Sequence, residues 1–145
     1  MSDGDYVQQN ARALARLEGV AARLSDDDLA RPLDGGWTVA TALAHLWFWE
    51  ARARVLLERW RGTAVAPSPV DDDAINGAGL SQWLVLPPRE VVSELLAVSR
   101  EVDAMVAALD GATAAAIAAT PDTIDLARAS HRGEHLDQVE RALDR

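Results

Sequence analysis

Cysteine and lysine are absent from the 145 residues, and aromatic side chains make up only 5% of them. Without cysteine, the chain has no disulfide framework, no thiolate zinc site, no iron–sulfur cluster and no cysteine nucleophile. The 14 basic residues are all arginine, and the 23 acidic residues give a formal net charge of −9. A chain with this charge and scattered arginines is poorly suited to bind a phosphate backbone, so we expect no nucleic-acid partner.

Long apolar runs are also missing, since none approaches the roughly 20 residues of a membrane span. The first residues, Met1-Ser2-Asp3-Gly4-Asp5, are acidic and lack the basic and apolar regions of a signal peptide. We therefore expect a cytoplasmic protein without a membrane partner. Because typical domains have about 100–150 residues, residues 1–145 are predicted to form a single domain.

Alanine and leucine dominate the sequence, and strictly alternating patterns are not sustained, which favours helices over strands. Apolar residues in the second and third predicted helices follow a 4-3-4-3-4 spacing, which is typical of the seam of a helical bundle. The last predicted helix has Thr120 as its N-cap and Pro121 as its first residue. The four predicted helices cover approximately residues 5–24, 38–61, 88–109 and 121–143.

A connection of 26 residues, Gly62 to Pro87, separates the second and third predicted helices. Connections of this length in compact proteins are usually functional or contain a helix of their own. Ala74–Leu84 is predicted to be that helix, and Thr113–Thr120 is predicted to form another short helical turn. The pattern predicts an all-α fold, a four-helix bundle with a long crossover between helices 2 and 3.

The chain has only three histidines, His45, His131 and His135. His131 and His135 are spaced i, i+4, so they project from one helix face with Cβ atoms about 6 Å apart. Both occupy the inward stripe of the last helix, and burying them without partners would cost about 1–3 kcal/mol each. His45 lies at the edge of the seam of the second helix. If these helices are neighbours, three imidazoles can bind one metal and leave a fourth position open, as in catalytic zinc sites.

The alternative interpretation is that the histidines are hydrogen-bonded polar residues of the core. His131 to His135 also matches the H-x-x-E-H pattern of inverted zinc proteases. Those enzymes need a further acidic ligand at a distance, and only ten residues follow His135. Glu134 is instead predicted either to orient a ligand imidazole from behind or to be an exposed or ion-paired surface residue.

Three residues are candidates for the wall of a pocket beside the histidines. Trp49 lies on the same side of its helix as His45, and Asn76 and Trp83 belong to the long connection, which could cover the mouth of the bundle. The alternatives are ordinary core packing for the tryptophans and helix capping for Asn76.

Two arginines lie near the histidines along their helices, Arg52 on the second helix and Arg128 on the fourth. Either could attract an anionic thiol or acid into a pocket. Surface salt bridges are the favoured interpretation, because exposed arginines in an acidic chain commonly form them.

A resemblance to a known family starts at the segment from Leu33 to Val39, read Leu-Asp-Gly-Gly-Trp-Thr-Val, which leads into Leu43-Ala44-His45-Leu46. These motifs resemble the signature of the DinB-like metal-binding bundles, also called DinB/YfiT-like. The nearest branch contains the N-terminal domain of mycothiol-dependent maleylpyruvate isomerase. The segment from Ile75-Asn76 through Trp83 to Pro88, and the terminal His131…Glu134-His135-Leu136, fit the same pattern.

The resemblance implies a divalent metal, zinc or nickel, on His45, His131 and His135, and a homodimer. Chemistry in that family, where known, uses a low-molecular-weight thiol such as mycothiol or bacillithiol to attack an electrophile. The implied function is thus a metal-dependent S-transferase or isomerase with a small-molecule thiol and electrophile as partners. One alternative is a non-catalytic metal-binding or dimerisation module of a stress response, with a closed site. Another is hydrolysis by a water molecule activated on the metal, which needs no thiol.

Overall fold

The computed structural model describes residues 5–144 of the chain. All regular elements in this range are helices, and the only strand-like pairing there is an isolated bridge between Pro32 and Thr38. The all-α prediction is confirmed. The seven α-helices are α1 (Asp5–Arg23), α2 (Asp26–Leu29), α3 (Val39–Gly62), α4 (Asp72–Trp83), α5 (Pro88–Ala107), α6 (Gly111–Ala119) and α7 (Ala129–Leu143).

The four long helices, α1, α3, α5 and α7, form the bundle. The contacts run in a closed ring: α3 packs on α5, α5 on α1, α1 on α7, and α7 on α3. The neighbouring positions of α3 and α7 meet the condition under which His45 could approach the other two histidines. The helix expected in the long connection is present as α4, which packs against α3.

The apolar core consists of two clusters along the bundle axis. One cluster contains Leu17, Leu46, Leu95 and Leu136 among others. The second is formed by later parts of α3 and α5 together with α6 and the segment before α7, and contains residues such as Ala53, Leu57, Val102 and Ile117. Residues at the 4-3 spacing predicted for the second and third helices occur in both clusters. Steps of four and three residues keep side chains on the same face of a helix.

The start of the last helix differs from the prediction. The helix begins at Ala129 rather than Pro121, and Thr120 is instead the residue that ends α6. Asp122 has a φ of 56°, in the left-handed region that interrupts a right-handed helix. The Thr123 hydroxyl donates to the carbonyls of Ile117 and Thr120 and fixes this turn. The Thr-Pro signal is therefore part of an irregular segment between α6 and α7.

No single helix in residues 5–144 is long and apolar enough to cross a membrane. By length and composition alone, α5 and α6 pass such a test only as a pair, with a bend of 109° between them.

Candidate metal centre

The segment before α3 determines the surroundings of His45. Gly35 and Gly36 have φ values of 70° and 84°, which favour glycine and turn the chain sharply. Thr38 then caps α3: its hydroxyl accepts a hydrogen bond from the Thr41 amide at 3.1 Å, and the Thr38 amide donates to the Thr41 hydroxyl at 2.8 Å. The Gly-Gly-Trp-Thr motif thus starts the helix that carries His45, two turns further on.

The three imidazoles converge through their Nε2 atoms. The Nε2 atom of His131 is 3.0 Å from that of His45 and 3.1 Å from that of His135. One potential ligand atom from each residue lies within 4.8 Å of the other two. His45 comes from α3 and the other two from α7, so the predicted meeting of the three histidines is found in the structure.

This geometry fits a divalent metal. In a tetrahedral site with Zn–N bonds of about 2.05 Å, ligand nitrogens are about 3.3 Å apart, slightly more than the separations between these Nε2 atoms. Three imidazole nitrogens are a donor set that zinc, nickel, copper and iron accept. The group could therefore hold a divalent metal ion, and three protein ligands would leave a coordination position open.

Two of the imidazoles are oriented by amide side chains behind them. The Nδ1 atom of His45 lies 3.1 Å from Asn76 Oδ1, and that of His135 lies 3.2 Å from Gln138 Oε1. An acceptor at Nδ1 places the proton there and leaves the lone pair on Nε2, the atom that faces the centre. The same Asn76 oxygen accepts a hydrogen bond from the indole of Trp49 at 3.1 Å.

Burial favours the neutral form of the histidines, which is the form that binds metals. Burial lowers the pKa of His45 to about 4, with a further contribution from the nearby His135. Burial also lowers the pKa of His131 to about 3, and His135, His45 and Arg128 add to this effect. These two imidazoles consequently remain unprotonated, with their lone pairs free, at pH values well below 6.5, the usual pKa of histidine.

Aromatic rings pack against His45. Its ring makes edge contacts with Trp37 at 5.7 Å and Trp83 at 5.9 Å between centroids. Trp83 lies against the backbone of α4 itself, because a Cβ at Gly79 would come within 2.5 Å of the Trp83 ring. Trp83 therefore packs against the His45 ring from α4, and it is not among the residues that line the cleft described next.

A cleft with a volume of about 700 Å³ opens beside the three histidines. Trp49 and Asn76 are among the residues that line it. Glu134 lies at its rim and is exposed. Within residues 5–144 Glu134 makes no hydrogen bond or ion pair, whereas Asn76 and Gln138 occupy the positions behind the imidazoles.

Neither arginine near the site forms the surface salt bridge that was favoured. Arg128 is buried and donates to Glu50 Oε1 at 2.8 and 3.1 Å. Arg52 donates to two backbone carbonyls, that of Ser68 at 2.6 Å and that of Thr123 at 3.5 Å. The expectation of surface pairs is wrong because Arg128 is buried against Glu50, and the half-buried Arg52 is held by backbone carbonyls rather than by a carboxylate.

A layer of buried polar residues separates the two apolar clusters and fixes α7 in the bundle. Arg132 is fully buried, and it donates to Glu50 at 3.0 Å and to both oxygens of Asp103 at 2.6 and 2.9 Å. Asn10 accepts a hydrogen bond from the Ala129 amide at 2.9 Å, at the start of α7. Each of the four long helices contributes to this layer, which determines how far along the bundle the α7 histidines lie.

The sequence interpretation did not identify Gln138, Trp37 or the buried polar layer. Gln138 was recognisable in principle, because its i, i+3 spacing from His135 places both side chains on one helix face. Glu50 offered a weaker signal, since it lies four residues after Leu46 and three before Ala53, on the apolar face of its helix. Its partners are on other helices, so no local pattern indicates the pairing.

Comparison with known proteins agrees with this description. A sequence profile of the DinB superfamily matches residues 9–139, a range that includes the three histidines and both amide residues behind them. No curated protein and no solved structure matches the chain at a significant level.

Proposed function

Because the chain belongs to the DinB superfamily, we propose that it is a metal-dependent S-transferase. It joins a low-molecular-weight thiol, such as mycothiol or bacillithiol, to a small electrophile. The proposal rests on the three histidines together with the cleft of about 700 Å³ that opens beside them. A non-catalytic module would be expected to have a closed site, so the open cleft favours catalysis.

We assign the following roles to the residues of the site. His45, His131 and His135 bind a divalent metal, zinc or nickel, through Nε2, and Asn76 keeps the His45 ring in the required tautomer. When bound, such a metal lowers the pKa of a thiol that reaches it, so that thiolate is available at neutral pH. Trp83 packs against the His45 ring and would limit its rotation.

The proposed reaction is a nucleophilic substitution in which the thiol is deprotonated and its sulfur attacks the electrophile. The thiol loses its S–H proton to solvent, and its sulfur forms a bond to the electrophilic carbon. The leaving group departs with the electrons of the bond that breaks. In an isomerisation no group would leave: the sulfur would add to one carbon of a C=C bond, the resulting single bond would rotate, and loss of the thiolate would restore the double bond in its other geometry. The chain supplies no cysteine, so the sulfur nucleophile must come from outside.

The first test is the metal content of untagged protein by mass spectrometry. We expect about one metal ion per chain in the wild type and a loss of metal in His45→Ala and His135→Ala. Arg54→Gln is a matched control on α3, because Arg54 pairs with Glu101 at the surface. If the histidine variants retained the metal content of this control, the site as described would be wrong.

The second test is transfer itself. Metal-loaded protein is mixed with 1-chloro-2,4-dinitrobenzene and each of mycothiol, bacillithiol and glutathione, and the coloured thioether is measured. We expect thiol-dependent product with at least one thiol and none with His45→Ala. Electrophile consumed without any thiol would favour hydrolysis instead. Metal binding with no turnover across thiols and electrophiles would favour the non-catalytic module.

The homodimer and the mycothiol-dependent branch implied by the sequence resemblance remain part of this proposal. Analytical ultracentrifugation of metal-loaded protein would give the oligomeric state. A mass of one chain at all concentrations would contradict the dimer and leave the metal site unaffected.

A further inference from the structure

Arg52 continues the face of α3 that carries the metal-binding residue. His45, Trp49 and Arg52 are spaced i, i+4, i+7, so they lie in one row along the helix, and all three line the same cleft. The guanidinium of Arg52 lies over the Trp49 ring, with 5.7 Å between Cζ and the ring centroid. The row therefore leads from the histidines to a cation at the other end of the cleft.

The positive charge of Arg52 has no carboxylate partner within ion-pair distance in residues 5–144. Its two hydrogen bonds go to the neutral carbonyls of Ser68 and Thr123. A guanidinium has five N–H donors, so several remain for a ligand. Burial lowers the pKa of Arg52, and the carboxylate of Asp72 only partly offsets this effect from a distance. An anion that enters the cleft would therefore stabilise the charge of this half-buried guanidinium.

From this arrangement we propose that Arg52 binds a carboxylate on one of the two reactants. The inference rests on the proposed function, since it names the charge that a substrate of this cleft carries. The reactant would place its reacting atom at the histidines and its carboxylate at Arg52. An i to i+7 spacing corresponds to about 10 Å along a helix, so both ends of a small molecule can be held at once.

The acidic residues around the cleft make this position specific. Asp72, Asp122, Asp125 and Glu134 also line the cleft and repel anions from most of its surface. Arg128 is already neutralised by Glu50 at 2.8 Å. Arg52 is thus the one cation lining the cleft, among the residues described, that has no paired carboxylate. A planar guanidinium also offers two parallel donors to a carboxylate, which gives orientation as well as affinity.

A purely structural role for Arg52 is the competing explanation. Its hydrogen bonds connect the segment after α3 to the segment before α7, which Ser68 and Asp122 also join through a backbone hydrogen bond of 2.6 Å. If Arg52 only fastened these segments together, its loss would weaken the binding of acids and of neutral analogues equally. The difference between the two kinds of ligand separates the explanations.

The test measures binding to the metal-free protein, so that no carboxylate can bind a metal. Chemical shifts of the Arg52 Nε–H and Trp49 indole N–H groups are followed by NMR during titration with 3,5-dinitrobenzoate or with 3,5-dinitrobenzamide. We expect the acid to bind about tenfold more tightly than the amide, as for a charge-assisted hydrogen bond. Arg52→Gln should abolish this preference and leave the affinity for the amide unchanged.

Three further variants make the result decisive. Arg54→Gln, on the outer side of the same helix, should keep the preference for the acid. Arg52→Lys should keep part of it, because the charge remains but the parallel donors are lost. Asp72→Asn should increase the preference for the acid over the amide, because a negative charge near Arg52 is removed. No preference in the wild type, or an equal loss for acid and amide in Arg52→Gln, would overturn the proposal.

A second pair of probes identifies which reactant carries the carboxylate. N-acetyl-L-cysteine and its amide report on the thiol, as the dinitrobenzoate pair reports on the electrophile. An Arg52-dependent preference with either pair supports the proposal and assigns the source. Because these measurements need neither metal nor turnover, a retained preference in a protein without transferase activity would contradict only the proposed reaction. An active enzyme that shows no preference would contradict only the role of Arg52.

Discussion

Glu50 of α3 and Arg132 of α7 form an ion pair of 3.0 Å in which neither side chain is exposed to solvent. The carboxylate of Glu50 also accepts from Arg128, and Arg132 also donates to Asp103. Buried charges of this kind are costly to strip of water and stay charged only while their partners are present. The pair therefore binds the two helices that carry the histidines in one register.

Glu50→Gln should destabilise the protein by about 3–5 kcal/mol, because it leaves two buried guanidinium groups short of a counter-charge. Urea unfolding followed by circular dichroism at constant metal concentration measures the change. Glu101→Gln is the control, since it removes a surface ion pair with Arg54 and should cost at most about 1 kcal/mol. Similar losses in the two variants would mean that the buried layer contributes no more than a surface pair.

Asn76→Ala should weaken metal binding about 10- to 100-fold, the usual effect of removing a group that orients a ligand imidazole. The substitution removes the acceptor at His45 Nδ1 and the partner of the Trp49 indole at once. Competition with a zinc chelator measures the affinity. Ser81→Ala on the same helix should have no effect, because its hydroxyl donates only to the Ala78 carbonyl. Unchanged affinity in Asn76→Ala would exclude an orienting role.

Two glycines of α4 should respond to alanine in opposite directions. At Gly77 nothing lies within 4 Å of an added Cβ, so Gly77→Ala should stabilise the helix by about 0.5–1 kcal/mol. At Gly79 the Cβ would come within 2.5 Å of the Trp83 ring, so Gly79→Ala should cost about 1–3 kcal/mol through overpacking. Thermal unfolding of both variants checks the signs. A stabilised Gly79→Ala would show that Trp83 moves away freely.

The metal-free protein should lose stability as the pH falls from about 6.5 towards 4. The pKa of His45 is lowered to about 4 in the folded chain, so between these values the unfolded chain binds the proton and the folded one does not. Acid therefore favours unfolding in this window. His45→Gln should show a shallower decrease over the same range, measured by urea unfolding at several pH values. Identical slopes would mean that His45 is not held neutral.

Local sequence signals predicted most of the bundle. The 4-3 spacing located the helices that became α3 and α5, and the i, i+4 spacing placed His131 and His135 on one face. The helix start predicted at Pro121 is wrong, because proline begins a helix only when the residues after it are free to continue that helix. Here the start of α7 is determined by Asn10, whose amide group binds Leu126 and Ala129 from 116 and 119 residues away.

The surroundings of the site were harder to predict for the same reason. Arg128 and Arg52 resemble ordinary surface arginines in sequence, since nothing near them indicates whether they turn inward. Their partners, Glu50 and the carbonyl of Ser68, are brought to them only by the packing of α3 and its following segment. Contacts of this kind depend on tertiary structure, and a single sequence carries little information about them.

The two helices that meet at the histidines join parts of the chain that are far apart, since His45 and His131 are separated by 86 positions. An ion that binds only this assembled arrangement adds RT ln(1 + [L]/Kd) to the free energy of unfolding, about 4 kcal/mol when free metal is a thousand times Kd. The fraction of folded protein would then rise and fall with the concentration of free metal. In metal-poor conditions α7 would depend on the polar layer and core packing alone, and its detachment would need less energy.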